Sequence, residues 1–240
     1  MPLLRVERIL GSLMDTPNSV VRPGDLDADH LDCIILDMDG TLLDLHFDDQ
    51  VWNHCLPLQY AKQNDLAIQE AATEIKSLMA PIRGTLQWYC FDHWHSLVGI
   101  DLLSIENEVF NLVSTRPGAI EFLERLGDAN CKLILASNAD RRSMTRKLDH
   151  TQLSGYFDAI FSSQDFGFAK EATAFWHALQ EEINFDPKRT LFVDDNHNVL
   201  AAAHQFGIKF LFGIQQPNSK GDTVESEYFH CLSTFEELTL

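Results

Sequence analysis

The chain has no apolar run approaching the ~20 residues needed to span a bilayer, no Cys-x-x-Cys pair and little positive charge. The first absence excludes a helical membrane span. Its cysteines, Cys33, Cys55, Cys90, Cys131 and Cys231, are odd in number and unpaired in spacing. They fit reduced thiols in a cytoplasmic protein better than a disulfide frame or a structural zinc site. The N-terminus has neither a sustained apolar region nor a small-residue cleavage site, so no secretory signal is expected. Against 36 Asp and Glu stand only 18 Lys and Arg, a formal net charge of -18, which argues against a nucleic-acid partner. A small phosphorylated ligand stays open, because a metal ion and a few local cations reverse the sign inside a cleft. Internal repeats and low-complexity tracts are absent as well.

What the chain does have is the run Cys33-Ile34-Ile35-Leu36-Asp37-Met38-Asp39-Gly40-Thr41. A short apolar run reads as a buried strand, and this one ends in two carboxylates one residue apart, followed by glycine. Crowding two carboxylates costs free energy unless a cation or donors compensate, so phosphoryl-transfer chemistry explains the pattern better than folding does. A calcium loop of the EF-hand type would need Gly at the sixth position from Asp37 and Glu at the twelfth. Those positions hold Leu42 and Asp48, and that reading fails.

The length of 240 residues suits one domain with an insertion or two small domains. Residues 1–30 read as a loosely attached arm, broken at Thr16-Pro17 and Pro23-Gly24. Residues 47–115 read as a helical insertion, with apolar residues at helical spacing over Val51–Gln63, Ile68–Met79, Leu86–Val98 and Ile105–Val113. Residues 31–46 and 116–240 form the core. After Pro117 opens a helix, strands are expected over Lys132–Ala136, Phe157–Phe161, Thr190–Val193 and Lys209–Phe212. Helices over Arg141–Leu153, Ala172–Ile183 and Asn198–Phe206 connect them. Alternation with connections this short predicts an α/β fold, a Rossmann-like parallel sheet covered on both faces.

In open α/β sheets, ligands bind at the carboxyl edge of the strands. Asp37 and Asp39, Ser137 and Asn138, Lys170, and Asp194 and Asp195 each follow a predicted strand. Alone, Ser137-Asn138 would suit a helix cap and Lys170 a solvated surface; together they are an ordered set on one edge.

This set resembles the haloacid dehalogenase superfamily of phosphohydrolases. Asp37-Met38-Asp39-Gly40-Thr41 matches its first motif, Ser137 its second, Lys170 its third and Asp194-Asp195 its fourth, and the likeness covers roughly residues 32–215. The helical insertion looks like the family's cap domain. The segments Leu42–Leu45, Thr85–Cys90, Phe166–Glu171 and Arg189–Asp195 further resemble a bacterial branch of purine 5'-nucleotidases acting on GMP and IMP. The resemblance implies Asp37 as a nucleophile forming an aspartyl-phosphate, and Asp39 as general acid and base. It implies Mg2+ held by Asp37, the Asp39 carbonyl and Asp194, with Asp195 one shell out. Gly40, Thr41, Ser137, Asn138 and Lys170 would bind the phosphoryl group. An Asp at position 39 favours phosphate esters over halides, whose departure needs no proton. A sugar-phosphate phosphatase or a phosphomutase would keep it too, and a non-catalytic binding module remains the reading of a different class. Substrate choice falls to the insertion, where Arg83, Trp88, Tyr89 and Trp94 offer rings and a cation to a purine. The same rings would also serve as the core of a helical cap.

Overall fold

The computed structural model describes residues 20–26, 30–127 and 131–240, so most of the arm expected over 1–30 lies outside the described residues. Among the described residues, six strands form a single sheet: β1 (Cys33–Leu36), β2 (Lys132–Ser137), β3 (Ala159–Ser162), β4 (Thr190–Val193), β5 (Phe210–Ile214) and β6 (His230–Leu232). The spatial order is β3-β2-β1-β4-β5-β6 and every neighbouring pair is parallel. β1 is central, with Ile35 registered between Ile134 and Phe192. Its residues alternate between two apolar clusters: Ile34 and Leu36 join one, Cys33 and Ile35 the other. That two-sided burial is why the strand reads as a continuous apolar run rather than an alternating one.

Between β1 and β2 the chain is almost wholly helical. It comprises α1 (His46–Gln50), continuing through a π-helical turn at Val51–Cys55 into α2 (Leu56–Asn64), then α3 (Ile68–Met79), α4 (Leu86–Tyr89), α5 (Phe91–Val98) and α6 (Leu102–Val109). The segments entering and leaving this insertion are hydrogen-bonded to each other. Asp44 N–H donates to the Ser114 carbonyl at 2.9 Å, and Arg116 N–H to that of Leu42 at 2.8 Å. Beyond them, α7 (Ala119–Leu126) and α8 (Arg141–Thr151) cover one face of the sheet through Phe122, Leu123, Met144 and Leu148. The other face is covered by α9 (Thr173–Ile183) and α10 (His197–Phe206), through Phe175, Trp176, Val199 and Leu200. No helix among the described residues is long and apolar enough to cross a membrane.

Three expectations are corrected. β6 was not anticipated; its three residues are too short and too mixed to carry a strand pattern. The helix expected over Leu86–Val98 is two helices, because Cys90 is extended (φ -89°, ψ 113°) and the Phe91 N–H turns to donate to Asp140 Oδ2 at 3.1 Å. A core carboxylate thus caps α5, a tertiary contact that local spacing does not encode. Trp94 does not offer a face to a substrate. It is fully buried, its ring stands edge-to-face on Trp52 at 5.4 Å, and its Nε1–H donates to the Trp88 carbonyl at 2.8 Å. With Phe91 and Val98 it forms the inward stripe of α5.

Trp94→Ala should therefore cost about 3–5 kcal/mol of stability, as for other large buried aromatics. Thermal melting should show a large fall in Tm, while the relative rates on different substrates stay as in the wild type at temperatures where the variant is folded. An unchanged Tm with selective loss on one substrate would return this ring to the binding surface.

Candidate active site

Asp37 directly follows β1, and its N–H donates to the Val193 carbonyl at 3.0 Å, which seats it between β1 and β4. Asp194 directly follows β4, and its N–H donates to the Phe212 carbonyl at 3.2 Å. Between the two carboxylates lies Lys170, 2 % exposed, from the segment after β3. Its Nζ makes a short hydrogen bond to Asp37 Oδ1 and donates to Asp194 Oδ2 at 2.7 Å and to the Ala136 carbonyl at 2.9 Å. The lysine main chain is clamped at both ends. Its N–H donates to Asn138 Oδ1 at 2.9 Å, and its carbonyl accepts from Trp176 Nε1 at 2.9 Å. Burial disfavours the charge on Lys170, but the flanking Asp194 and Asp37 outweigh it and hold the pKa above the ordinary lysine value. Burial pushes the Asp37 carboxyl up to about 7 against the pull of Lys170.

Asp195 joins this pair. Asp37, Asp194 and Asp195 each bring a carboxylate oxygen to within 4.8 Å of the others. Burial, then the neighbouring Asp194 and Asp37, raise the Asp195 pKa well above the usual carboxylate value. Three converging hard oxygen donors with one ammonium among them fit a divalent cation such as Mg2+, which would restore the ionised forms that burial disfavours. Asp195 thus stands in the converging set and not behind it, whereas the Asp39 side chain turns to a different partner. Asp39 Oδ1 accepts from Lys147 Nζ at 2.9 Å. Gly40 makes the close approach possible. Its φ is +83°, and a Cβ there would lie 2.6 Å from the Asp195 carboxyl carbon.

The remaining expected residues divide. Ser137 is buried beside the strand end, and its Oγ accepts from the Ala139 N–H at 3.1 Å. Thr41 Oγ1 is buried with no hydrogen-bond partner among the described residues. Asn138 is engaged at both ends of its amide, to the Lys170 N–H and to Glu171 Oε2 (2.9 Å), so it holds the lysine segment in place. Tyr89 reaches the strand edge from α4: its hydroxyl donates to Glu171 Oε1 at 2.7 Å. Arg83 stacks on Trp88, 5.4 Å from the ring centroid, and Trp88 is partly buried against the core.

Four residues here were not singled out from the sequence. Glu171 gathers Tyr89, Asn138 and Asn196 beside Lys170. Arg116, its guanidinium pKa lowered by burial despite the nearby Asp195 and Asp44, donates from Nη1 to the Thr41 carbonyl at 3.3 Å. Lys147 and Asp48 form an ion pair of 2.8 Å behind Asp39. A lysine on a helix reads as solvated; the available signal was that Lys147 shares a face with Met144 and Leu148.

The haloacid dehalogenase-like hydrolase family matches residues 31–207. The chain belongs to that family. Among its relatives, the GMP/IMP nucleotidase YrfG of Escherichia coli K12 is 37% identical over 189 residues, covering 79% of this chain and 85% of that protein. The structure of a HAD phosphatase from Thermococcus onnurineus superposes with a TM-score of 0.73 at 20% identity, over 87% of this chain and 96% of that one. That of L-2-haloacid dehalogenase from Xanthobacter autotrophicus superposes at 0.51 and 19% identity, over 77% and 78% of the two chains. The last two likenesses are of fold. This haloacid dehalogenase-like hydrolase is a phosphoric monoester hydrolase, with its acidic cluster and lysine at the carboxyl edge of the sheet.

Gly40→Ala should bring both the strain of a positive φ and the clash with Asp195. Gly118 has a similar φ of +77° with nothing within 4 Å of its would-be Cβ, so Gly118→Ala isolates the strain, about 1–2 kcal/mol. Turnover should fall by at least tenfold in Gly40→Ala and stay near wild type in Gly118→Ala. Equal rates in the two variants would mean that the placement of Asp195 is immaterial to hydrolysis.

Proposed function

We propose that this hydrolase is a Mg2+-dependent 5'-nucleotidase that removes the phosphate from purine nucleoside monophosphates through an aspartyl-phosphate on Asp37. The observation that carries the chemistry is the Asp37 carboxylate, held at the strand end by Lys170 with a second carboxylate two residues on. Asp37 Oδ attacks phosphorus, its bond to phosphorus forms, and the ester P–O bond breaks with its electron pair passing to the leaving oxygen. Asp39 donates a proton to that oxygen, giving the nucleoside, and is left as a carboxylate. It then takes a proton from water as the water oxygen attacks phosphorus, releasing inorganic phosphate and the free Asp37 carboxylate. Lys170 and the Ser137 hydroxyl steady the phosphoryl oxygens, and the Thr41 hydroxyl, buried with no partner among the described residues, adds a further hydrogen bond. Asp37, Asp194 and Asp195, with the Asp39 carbonyl, would hold Mg2+. When bound, this ion offsets the charge of the phosphate dianion and makes phosphorus more electrophilic.

The purine reading rests on the 37% identity to YrfG together with the placement of α4. Tyr89 bonds to Glu171 next to Lys170, and Trp88 with its stacked Arg83 lies one residue away on the same short helix. Such a helix can contact the leaving group while the sheet edge handles the phosphate. A stacked ring contributes ~1–3 kcal/mol per base.

A panel of phosphate monoesters assayed with and without Mg2+ tests both layers. GMP and IMP should give the highest kcat/KM, with activity lost in EDTA and restored by Mg2+. Sugar phosphates exceeding GMP and IMP more than tenfold would remove the nucleotide reading and leave the phosphatase. Full activity in a verified metal-free sample would remove the Mg2+ site.

A further inference from the structure

Behind Asp39 lies a second buried ammonium that the steps above do not use. Lys147 is 1 % exposed, on the inner face of α8. Its Nζ donates to Asp39 Oδ1 at 2.9 Å and to both oxygens of Asp48, at 2.8 and 3.1 Å, and sits 4.9 Å over the ring of Phe47. The three carboxylate contacts come from two places: the loop after β1, and α1, the first helix of the insertion. Two other residues of α8 hold the last helix of the insertion. Ser143 donates a short hydrogen bond to Glu106, a buried residue of α6, and Arg146 Nη1 donates to the same carboxylate at 3.1 Å. One core helix is thus tied to both ends of the insertion, and the tie nearer the reaction runs through Asp39.

We propose that Lys147 is a positioning residue for Asp39: it fixes where the Asp39 carboxyl points, and Asp48 anchors it so that this orientation depends on the docking of α1. The inference rests on the role of Asp39 stated above as donor of the proton to the leaving oxygen. A buried ammonium is a poor means of stabilisation, since a well-packed apolar side chain commonly serves as well or better. What the charge provides here is direction. Nζ takes one oxygen of Asp39, and its other hydrogens are taken by Asp48, so the Asp39 carboxyl cannot rotate without breaking a buried ion pair. Lys147 makes no hydrogen bond or ion pair with Asp37, Asp194 or Asp195, unlike Lys170, so its influence on the reaction passes through Asp39.

The leaving group separates this role from a structural one. An alkyl ester such as GMP expels an alkoxide and needs the proton from Asp39 as the P–O bond breaks. Nitrophenolate departs without one. Up to the first irreversible step, kcat/KM reports phosphoryl transfer to Asp37 alone, and the ratio of kcat/KM for two substrates cancels any loss of folded enzyme. The full-length protein with Mg2+ is assayed on GMP, on the best alkyl phosphate found and on 4-nitrophenyl phosphate, as wild type, Lys147→Met and Asp48→Asn, with melting curves alongside. Lys147→Met should lose on the order of a hundredfold on the alkyl ester, at the low end of what general acid catalysis provides, and less than tenfold on 4-nitrophenyl phosphate. Asp48→Asn should move the ratio in the same direction by less. Equal losses on both substrates in both variants, or an unchanged ratio, overturn the inference and leave Lys147 as a structural ion pair. A wild type that hydrolyses other alkyl phosphates but not GMP removes the nucleotide reading and leaves this test intact on the alkyl ester. A wild type inactive on every ester removes the phosphatase reading and the inference together.

Discussion

The site is organised around one buried ammonium between two carboxylates. Lys170 is bonded to Asp37 and Asp194 in a place almost closed to solvent, where losing the lysine would leave two like charges unpartnered. Much of the surrounding structure keeps it there. β1 and β4 are registered side by side so that their ends deliver the two carboxylates. Asn138, from the end of β2, holds the lysine N–H, and Trp176, from α9, holds its carbonyl. Three carboxylates around a single ammonium leave an excess of negative charge, and such a cluster responds strongly to a second cation. That sensitivity is what a metal-assisted phosphoryl transfer uses.

The insertion is joined to this edge at more than the two segments that enter and leave it. Tyr89 bonds Glu171, the neighbour of Lys170; Asp140 caps α5; and Asp48 meets Lys147 behind Asp39. Each contact pairs an insertion residue with a core residue, and two of the three core residues, Glu171 and Lys147, stand next to Lys170 and Asp39. The seating of the insertion against the core and the position of the Asp39 carboxyl are therefore linked through Lys147 and Asp48.

The core and the reacting edge were legible in the sequence because each is written locally. An apolar run buried on two faces, a carboxylate pair at its end and strand–helix alternation all leave short-range marks, and Asp37, Lys170 and Asp194 were readable as strand-end residues. The insertion was less legible, and the reasons are tertiary. The break at Cys90 depends on Asp140, 50 residues on in the chain. Trp94 and Trp88 look alike in sequence, but contacts with residues distant in the chain, Trp52 among them, put only Trp94 wholly inside. Asp195 read as a supporting residue because two adjacent acids at a strand end cannot be ranked by spacing; the glycine at position 40 is what lets the second one in. For Lys147 the sequence held only the face it shares with Met144 and Leu148, because its partners lie far away in the chain, at positions 39 and 48.

The most direct test of the covalent role of Asp37 is to stop the reaction with acid in the millisecond range and map the protein by mass spectrometry. A phosphoryl group is expected on the peptide containing Asp37, at the Asp37 side chain, formed and discharged at rates consistent with kcat and absent from Asp37→Asn. Turnover with no phosphorylated peptide at any time, or with the phosphoryl group on Ser137 or another residue, would contradict it.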